Sequence, residues 1–326
     1  GRNNKTRTIL GMEMARAFVF PGQGSQAVGM GGELANAFRP AREVFEEVDE
    51  ALGQHLFRLM QDGPEQELVL TENAQPALMA VSMAVMRVLE TEAGLDIAKA
   101  AKFVAGHSLG EYSALAAAGA LELPDAARLL KRRGLAMQRA VPVGEGAMAA
   151  LLGLSLEDAA AVAEEAAQGE VCSPANDNAS GQVVISGSTS AIDRAVEIAR
   201  GRGAKKAMRL NVSAPFHCAM MRPAAEEMET ALAEVAIAAP AVPLVANVTA
   251  EPVSEPERIR ALLVQQVTAM VRWRESVLYM KEQGVDELLE IGAGKVLATM
   301  TRRIDRDVQA SAVNTPEDIE RLVGSL

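Results

Sequence analysis

Short apolar runs alternate with helical patterns over the first third of the chain. Residues 18–20 predict a buried strand, and the glycine-rich residues 21–26 that follow predict a turn. Apolar residues then recur at helical spacing over residues 38–52 and 76–89. Strands that alternate with helices in this way form a mainly parallel sheet covered on both faces. We therefore expect an α/β fold.

The middle of the chain predicts a second, smaller unit. Its predicted elements are strand 148–152, helix 156–167, strand 171–174, turn 176–181, strand 182–186, helix 191–200 and strand 207–212. This βαββαβ order is typical of the ferredoxin-like fold. Strands are predicted again at 244–248, 287–291 and 310–313. We therefore expect a small ferredoxin-like subdomain over residues 142–212, inserted into a large α/β domain made of residues 15–141 and 213–326.

The pentapeptide Gly106-His107-Ser108-Leu109-Gly110 lies between a predicted strand at 103–105 and a predicted helix at 111–118. A serine on such a strand-turn-helix corner is the nucleophile elbow typical of α/β-hydrolase-like domains. The glycines let strand and helix approach closely, and the start of the helix directs free N–H groups at an oxyanion. The pattern predicts Ser108 as a nucleophile toward acyl groups. An ordinary turn between strand and helix is the alternative.

The chain has three histidines that could serve as the base for Ser108. His217 lies in a loop after the last predicted strand of the small subdomain, and crevices between domains are where ligand sites form. We expect His217 to be the base, with a structural, hydrogen-bonded histidine as the alternative. His55 falls in an apolar helical pattern, so we expect it to pack; His107 precedes the nucleophile and is expected to be structural.

Arg133 interrupts the apolar face of a predicted helix over residues 124–140. The other members of that face are Ala126, Leu129, Leu130, Met137 and Ala140. A guanidinium that faces the interior needs an anion, because an unpaired buried charge costs several kcal/mol. That anion is either an internal carboxylate or the carboxylate of a ligand, and the pattern leaves both open.

Composition narrows the classes of function. The chain of 326 residues is 49% hydrophobic, which supplies an ample core. Its net charge of −11 and its 3% aromatic content argue against binding of nucleic acid. No uncharged apolar run has bilayer length, and residues 1–14 are expected to be a loose extension rather than a secretory signal. Two distant cysteines, with Cys218 expected as a buried free thiol, predict a cytoplasmic protein, and no histidine spacing predicts a metal.

Five segments together resemble the malonyl-CoA:acyl carrier protein transacylase family. The likeness runs from about Ala17 to the C-terminus, with the segments in the family's order. They are Phe20-Pro21-Gly22-Gln23-Gly24-Ser25-Gln26, Gly106-His107-Ser108-Leu109-Gly110-Glu111, Arg133-Gly134 with Met137-Gln138, Phe216-His217-Cys218, and Gly292-Ala293-Gly294-Lys295-Val296-Leu297.

The resemblance implies a malonyl transfer through an acyl-enzyme. It implies Ser108 as nucleophile, His217 as its partner and Arg133 as the clamp on the malonyl carboxylate. The backbone amides of Gln23 and Leu109 would form the oxyanion hole. It further implies malonyl-CoA as substrate with no bound cofactor, and acyl carrier protein as partner. We expect a monomer that binds neither nucleic acid nor membranes.

Three further positions refine the resemblance. Gln266, seven residues before Trp273, matches the family position whose backbone carbonyl orients the histidine. Phe216 stands where many free-standing members carry a small residue, and resembles the malonyl-selective acyltransferase domains of polyketide synthases. Ala293 replaces a proline often seen in that glycine loop. Fatty acid synthesis is the expected pathway, and loading of a polyketide synthase is the alternative.

Two other classes of function stay open. A serine hydrolase or thioesterase would suit the elbow equally well and would need an acid, for which Asp125, Asp158, Asp177 and Asp193 are candidates. A binding module with an incidental elbow is disfavoured by the placement of Arg133. For an acidic carrier protein, the basic candidates for docking are Lys295 and Arg302 on a predicted helix over residues 295–304, and Lys205 and Arg209 beside a strand.

Overall fold

Ten strands in two sheets organise the protein, whose computed structural model describes residues 15–325. The extension predicted over residues 1–14 lies outside the described residues. The strands are β1 (Arg16–Phe20), β2 (Phe103–Gly106), β3 (Gly146–Leu152), β4 (Cys172–Ala179), β5 (Gln182–Ser188), β6 (Lys206–Arg209), β7 (Leu244–Val245), β8 (Pro252–Val253), β9 (Glu287–Ile291) and β10 (Gln309–Val313).

Six of the described helices lie between β1 and β2, and the others lie between or after the later strands. They are α1 (Gly32–Ala37), α2 (Arg39–Leu52), α3 (Leu56–Asp62), α4 (Glu65–Leu68), α5 (Thr71–Ala93), α6 (Ile97–Ala100), α7 (Gly110–Ala117), α8 (Leu123–Ala140), α9 (Leu156–Ala167), α10 (Thr189–Gly201), α11 (Arg222–Ala233), α12 (Pro256–Gln266), α13 (Trp273–Glu282), α14 (Val296–Ile304) and α15 (Pro316–Ser325). None of these helices is both long and apolar enough to cross a membrane.

The larger sheet has the order β10-β9-β1-β2-β7-β8 and is parallel except for β8, which pairs antiparallel with β7. Strand β1 is buried along its whole length. Phe18 and Phe20 face the larger core on one side of the sheet, while Ala17 and Val19 face a second core on the other. Both faces are therefore covered by helices, as the α/β pattern of the sequence predicts.

The smaller sheet has the order β4-β5-β3-β6, and all its strand pairs are antiparallel. Helices α9 and α10 cover one face, where Val162 and Ile192 pack in a separate core. Strand β4 runs on to Ala179, although residues 176–181 were expected to form a turn. Irregularities in its pairing after Pro174 and Asp177 let the polar residues continue the strand.

Three other predicted boundaries are wrong. Strand β6 ends at Arg209 rather than at residue 212. Helix α5 begins at Thr71, five residues before its predicted start, and carries Pro76 inside it. The apolar spacing on which the prediction rested begins only at residue 76, after a first turn that contains polar residues. Strand β7 ends at Val245 rather than at residue 248, because the chain turns and the N–H of Ala246 donates to Glu251.

Strand β4 ties the smaller sheet to the rest of the protein. The N–H of Asp177 donates to the carbonyl of Val271, and the N–H of Val271 donates to Ala175, at 2.9 and 2.8 Å. The buried carboxylate of Asp177 also pairs with Arg274 at 2.9 Å. Next along β4, Asn178 hydrogen-bonds His107, beside Ser108, with 2.8 Å between its Oδ1 and the imidazole Nε2. The smaller sheet is thus fixed against the elbow.

Candidate active site

Ser108 lies on a tight corner between β2 and α7. Its φ of 55° is in the left-handed region that non-glycine residues seldom adopt. A Cβ on Gly106 would lie 1.9 Å from the carbonyl carbon of Gly110, and a Cβ on Gly110 would lie 2.3 Å from the oxygen of Phe20. Only glycine fits at these two positions. The strand-turn-helix corner that the sequence predicts is present.

Asn247, which the sequence analysis did not single out, holds this corner in place. It is fully buried just after β7. Its Oδ1 accepts the N–H of Ser108 at 2.8 Å, and its Nδ2 donates to the carbonyl of Gly106 at 2.7 Å. These bonds offset the strain of the left-handed serine. No signal in the sequence marked this role, because residue 247 lies inside the strand predicted at 244–248.

His217 contacts the serine directly, with 2.7 Å between its Nε2 and the Oγ of Ser108. Its Nδ1 lies 2.9 Å from the backbone carbonyl oxygen of Gln266. Because a carbonyl only accepts, Nδ1 carries the proton and Nε2 is free to accept the serine proton. Burial, followed by the positive charge of Arg133, lowers the pKa of the imidazole to about 3. His217 is therefore neutral at neutral pH.

None of the four candidate acids contacts His217 within residues 15–325. Asp125 pairs with Arg128, Asp177 with Arg274 and Asp193 with Arg209. Asp158 lies in the first turn of α9, where its backbone N–H donates to Ser155. The group that orients the histidine is the Gln266 carbonyl, so the serine-histidine-acid arrangement of a typical hydrolase is absent from this part of the chain.

His55 and Cys218 take no part in the contact between Ser108 and His217. His55 is exposed at the N-terminal end of α3, so the expectation that it packs is wrong; the apolar spacing belongs to its neighbours Leu56 and Leu59. The sulfur of Cys218 contacts the carbonyl of Pro215 at 3.2 Å, and burial raises its thiol pKa. It is a free, buried thiol, as expected.

Arg133 is 1% exposed and reaches the nucleophile from helix α8. Its Nη2 donates to the Oγ of Ser108 at 3.2 Å and to the side-chain oxygen of Gln266 at 2.6 Å. Its Nη1 donates to the side-chain oxygen of Gln75 at 2.7 Å. The guanidinium carbon lies 5.7 Å from the ring centre of Tyr112. No carboxylate within the described residues forms an ion pair with Arg133, which leaves its positive charge without a direct partner.

Glu111 is a buried acidic residue that acts on Arg133 without touching it. One oxygen accepts the Nε2 of Gln266 at 2.6 Å, and the other accepts the backbone N–H of Asn247 at 3.1 Å. Burial raises the pKa of the Glu111 carboxyl to about 7, and those hydrogen bonds and the charge of Arg133 oppose the rise. Neither Glu111 nor Gln75 was predicted as part of the site, and Gln75 lay outside the helical pattern predicted over residues 76–89.

The turn after β1 brings Gln23 to the elbow. Gly22 lies against His107, because a Cβ there would be 2.6 Å from the His107 carbonyl oxygen. The side-chain oxygen of Gln23 accepts the hydroxyl of Thr71 at 2.9 Å. In residues 15–325 the backbone N–H groups of Gln23 and Leu109 donate to no protein acceptor. Both groups are available to an oxyanion that forms at Ser108.

The basic candidates Lys295 and Arg302 are exposed on either end of helix α14. Lys295 is its N-terminal cap, so the helix starts one residue later than predicted. Gly294 lies against Ser25, since a Cβ there would be 3.2 Å from the Ser25 hydroxyl oxygen. Lys295 is therefore close to the turn that carries Gln23.

The other two basic candidates lie further from the serine. Lys205 precedes β6, which pairs with the end of β3 at Leu152. The opposite end of β3, seven residues long, contacts Pro215 near His217. At 3.3 Å per residue the two ends are about 20 Å apart. Arg209 is exposed and pairs with Asp193 at 3.5 Å.

The site combines the Ser108 hydroxyl, hydrogen-bonded to the neutral imidazole of His217, with two free backbone N–H groups and the buried guanidinium of Arg133. This arrangement suits nucleophilic acyl transfer to an acyl group with a negative charge. Phe216, half-buried, packs against the larger core beside this site. Within the described residues no cluster of histidine, cysteine, aspartate or glutamate could hold a metal ion.

Comparison with known proteins agrees with this chemistry. The family model for the acyl transferase domain matches residues 17–324. The malonyl CoA-acyl carrier protein transacylase of Escherichia coli K12 is 48% identical over 300 residues, covering 92% of this chain and 96% of the relative. The enzyme of that name from Bacillus subtilis 168 is 43% identical over 311 residues, covering 95% and 96%.

Solved structures give the same result. The acyl-carrier-protein-S-malonyltransferase of Bartonella henselae is 56% identical, with a TM-score of 0.93 over 95% of this chain and 99% of that one. A malonyl-transacylase in complex with its type II PKS acyl-carrier protein is 44% identical, with a TM-score of 0.92 over 95% and 99%. The α/β fold is shared with both. Because the family model matches residues 17–324 and a relative is 48% identical over 92% of the chain, this chain belongs to the acyl transferase domain family.

Proposed function

We propose that this protein transfers a malonyl group from malonyl-CoA to the phosphopantetheine thiol of an acyl carrier protein. The observation that carries the proposal is the buried Arg133 guanidinium, 3.2 Å from the Ser108 hydroxyl and without a carboxylate partner in residues 15–325. A donor with its own free carboxylate would supply the missing anion. The names of the relatives agree with that donor and acceptor.

The first half of the reaction makes an acyl-enzyme. The malonyl carboxylate pairs with Arg133, and His217 Nε2 takes the proton of the Ser108 hydroxyl as its oxygen attacks the thioester carbon. The oxyanion accepts the N–H groups of Gln23 and Leu109. The carbon-sulfur bond then breaks, and protonated His217 gives its proton to the coenzyme A thiolate. A pKa of about 3 for this imidazole favours that donation.

The second half runs the same steps in reverse. The carrier thiol gives its proton to His217, its sulfur attacks the malonyl ester carbon, and the Ser108 oxygen leaves with the proton. Water competes poorly if the pocket stays filled by the pantetheine arm. We propose fatty acid synthesis as the pathway supplied. Loading of a polyketide synthase is the alternative that Phe216 keeps open, and kinetics with carrier proteins of both pathways would separate the two.

We interpret the architecture in the same way. The larger sheet with its elbow is α/β-hydrolase-like, and the smaller sheet, with its βαββαβ order, is ferredoxin-like. We place the domain boundaries at residues 142 and 212. The large catalytic domain then comprises residues 15–141 and 213–326. His217 follows the second boundary closely, so that the crevice between the two units leads to Ser108.

We also propose that the carrier protein docks on basic residues near the mouth of the site. Lys295 and Arg302 support this best, because Lys295 lies close to the Gln23 turn. Lys205 and Arg209 offer a second basic surface, further away and partly neutralised by Asp193. Local positive charge would overcome the overall net charge of −11 for an acidic carrier.

The pH dependence of the acylation rate should reflect the low pKa of His217. Because His217 is neutral well above a pKa of about 3, kcat/KM for acetyl-CoA, a donor with no carboxylate to bind Arg133, should stay constant from about pH 8 down to about pH 5. His217→Ala should lower it by roughly two to four decades. Stopped-flow release of coenzyme A measures both, and His55→Ala, a change at an exposed histidine, is the control. A decline with a midpoint near pH 6.5 would contradict this assignment.

Arg133→Ala should invert the preference between donors. It removes a charge-assisted bond worth on the order of 2 to 5 kcal/mol to malonyl-CoA, so kcat/KM should fall roughly thirtyfold to several thousandfold. Acetyl-CoA has no carboxylate to lose, and its kcat/KM should be unchanged or higher. The measurement is kcat/KM for both thioesters, with a melting curve for each protein.

Arg132→Ala is the matched control for this test. Arg132 precedes Arg133 on the same helix but pairs with Glu227 and Glu234 at its surface. The control should keep the malonyl preference of the wild type. Equal losses for both thioesters in Arg133→Ala would mean that Arg133 is structural and that the malonyl donor is wrongly assigned.

Reversal of charge tests the docking surface. Lys295→Glu with Arg302→Glu should slow association with an acidic carrier protein and weaken the dependence of that rate on salt. Acylation by malonyl-CoA should not change. The matched pair is Lys205→Glu with Arg209→Glu, which reports on the second surface. If carrier kinetics are unaltered in the first double variant while it still folds, the helix α14 surface does not dock the carrier.

A further inference from the structure

We infer that Glu111 is a positioning residue that fixes the side-chain amide of Gln266, so that Arg133 is held by a neutral oxygen and keeps its charge for the donor's carboxylate. The inference rests on the proposed function. It concerns two groups that the acyl transfer steps do not use: the buried carboxylate of Glu111 and the side chain, rather than the backbone, of Gln266.

The amide of Gln266 has one orientation that satisfies its neighbours. Its Nε2 donates to the carbonyl of Ser108 at 2.8 Å and to a Glu111 oxygen at 2.6 Å. Its Oε1 accepts Nη2 of Arg133 at 2.6 Å. The Ser108 carbonyl and the Glu111 carboxylate, which contact the amide nitrogen, can only accept. The Arg133 guanidinium, which contacts the amide oxygen, can only donate. The network therefore determines which end of the amide faces the arginine.

Reversal of this amide would produce three unfavourable contacts. Its NH₂ would face the guanidinium of Arg133, and its oxygen would face the Glu111 carboxylate and the Ser108 carbonyl. All three lost bonds involve buried groups, whose loss is costly. The bonds to Glu111 and Arg133 also involve a charged group, so these two are worth more than an ordinary hydrogen bond. Glu111 is the charged acceptor among the partners of the Gln266 amide, so it contributes most of the preference of that amide for one orientation.

Glu111 is held where it can do this. It is 1% exposed and lies in the first turn of α7, where the helix end favours a negative side chain. Its second oxygen accepts the backbone N–H of Asn247, at 3.1 Å. Both oxygens thus accept, which is the bonding pattern of a carboxylate. The carboxylate cannot turn away from Gln266 without breaking the bond to Asn247.

The separation of Glu111 from Arg133 matters for the donor. A carboxylate bonded directly to Arg133 would neutralise it and compete with the malonyl group for the same N–H groups. Burial lowers the pKa of the Arg133 guanidinium, and Tyr112 and then Glu111, which acts across the Gln266 amide, oppose that shift. The neutral amide oxygens of Gln266 and Gln75 leave the net positive charge beside Ser108.

Glu111→Gln tests this role, because it keeps the shape of the side chain and removes one acceptor. The single oxygen of the new amide cannot accept from both Asn247 and Gln266, so the Gln266 amide loses its fixed orientation. We expect the ratio of kcat/KM for malonyl-CoA to that for acetyl-CoA to fall about tenfold or more, as for loss of one hydrogen bond to a charged group. The malonyl change should appear mainly in KM, while acetyl-CoA kinetics stay the same.

Glu290→Gln is the matched control. Glu290 is also 1% exposed, and burial raises its carboxyl pKa to about 7. It accepts a backbone N–H at the start of α14, from Ala298 at 2.9 Å, and has no bond to the Gln266 network. The same substitution there can alter the melting temperature, but the ratio between donors should be that of the wild type.

A second variant covers the case in which Glu111→Gln does not fold. Gln266→Glu keeps the backbone carbonyl that orients His217 and places a carboxylate directly against Arg133. The ratio of kcat/KM for malonyl-CoA to that for acetyl-CoA should fall in this variant, because the new carboxylate competes with the malonyl group for Arg133. The inference is overturned if a folded Glu111→Gln keeps the wild-type ratio, if both thioesters fall equally in it, or if Gln266→Glu keeps the wild-type ratio.

Failure of the proposed function would look different. If the wild type itself shows no preference for malonyl-CoA over acetyl-CoA, then the malonyl donor is wrong and the ratio in any variant carries no information on Glu111. A wild type that prefers malonyl-CoA, with unaltered preference in the Glu111 variant, would leave the proposed function standing and remove only the positioning role.

Discussion

A buried, positively charged guanidinium without a direct carboxylate partner is the constraint on which the site depends. Arg133 is 1% exposed and is held by the amide oxygens of Gln75 and Gln266. These neutral acceptors bond its Nη1 and Nη2 groups but leave its charge uncompensated, and its buried Nε has no partner within the described residues, which is costly in a protein interior. That cost is offset when an anionic acyl group arrives, so the same cation that destabilises the empty site selects the donor.

The charge also sets the chemistry of the reacting pair. Arg133 lowers the pKa of His217 further than burial alone, so the imidazole is neutral and able to accept the serine proton. Once protonated, it is a strong acid toward a leaving thiolate. Gln266 connects the two effects, since its backbone carbonyl orients His217 and its side chain holds Arg133. The acyl position and the base are thereby fixed by one residue.

Local sequence patterns predicted the parts of this site that depend on neighbouring residues. The elbow at Ser108 follows from glycine spacing, and the inward direction of Arg133 follows from helical periodicity. Glu111, Gln75 and Asn247 were not predicted, because their roles arise only when distant segments meet. Asn247 bonds an amide 139 residues away along the chain. The start of α5 was also misplaced, because the apolar spacing begins at Pro76, whereas the helix begins at Thr71 and carries that proline inside it.

The central claim is that Arg133 makes Ser108 selective for an acyl group that carries a carboxylate. The most direct measurement is a competition: wild-type protein is mixed with equal concentrations of malonyl-CoA and acetyl-CoA, quenched early, digested and mapped by mass spectrometry. The account predicts an ester on the peptide that contains Ser108, with malonyl in large excess over acetyl. Equal amounts of the two esters, or acylation of a different peptide, would contradict it.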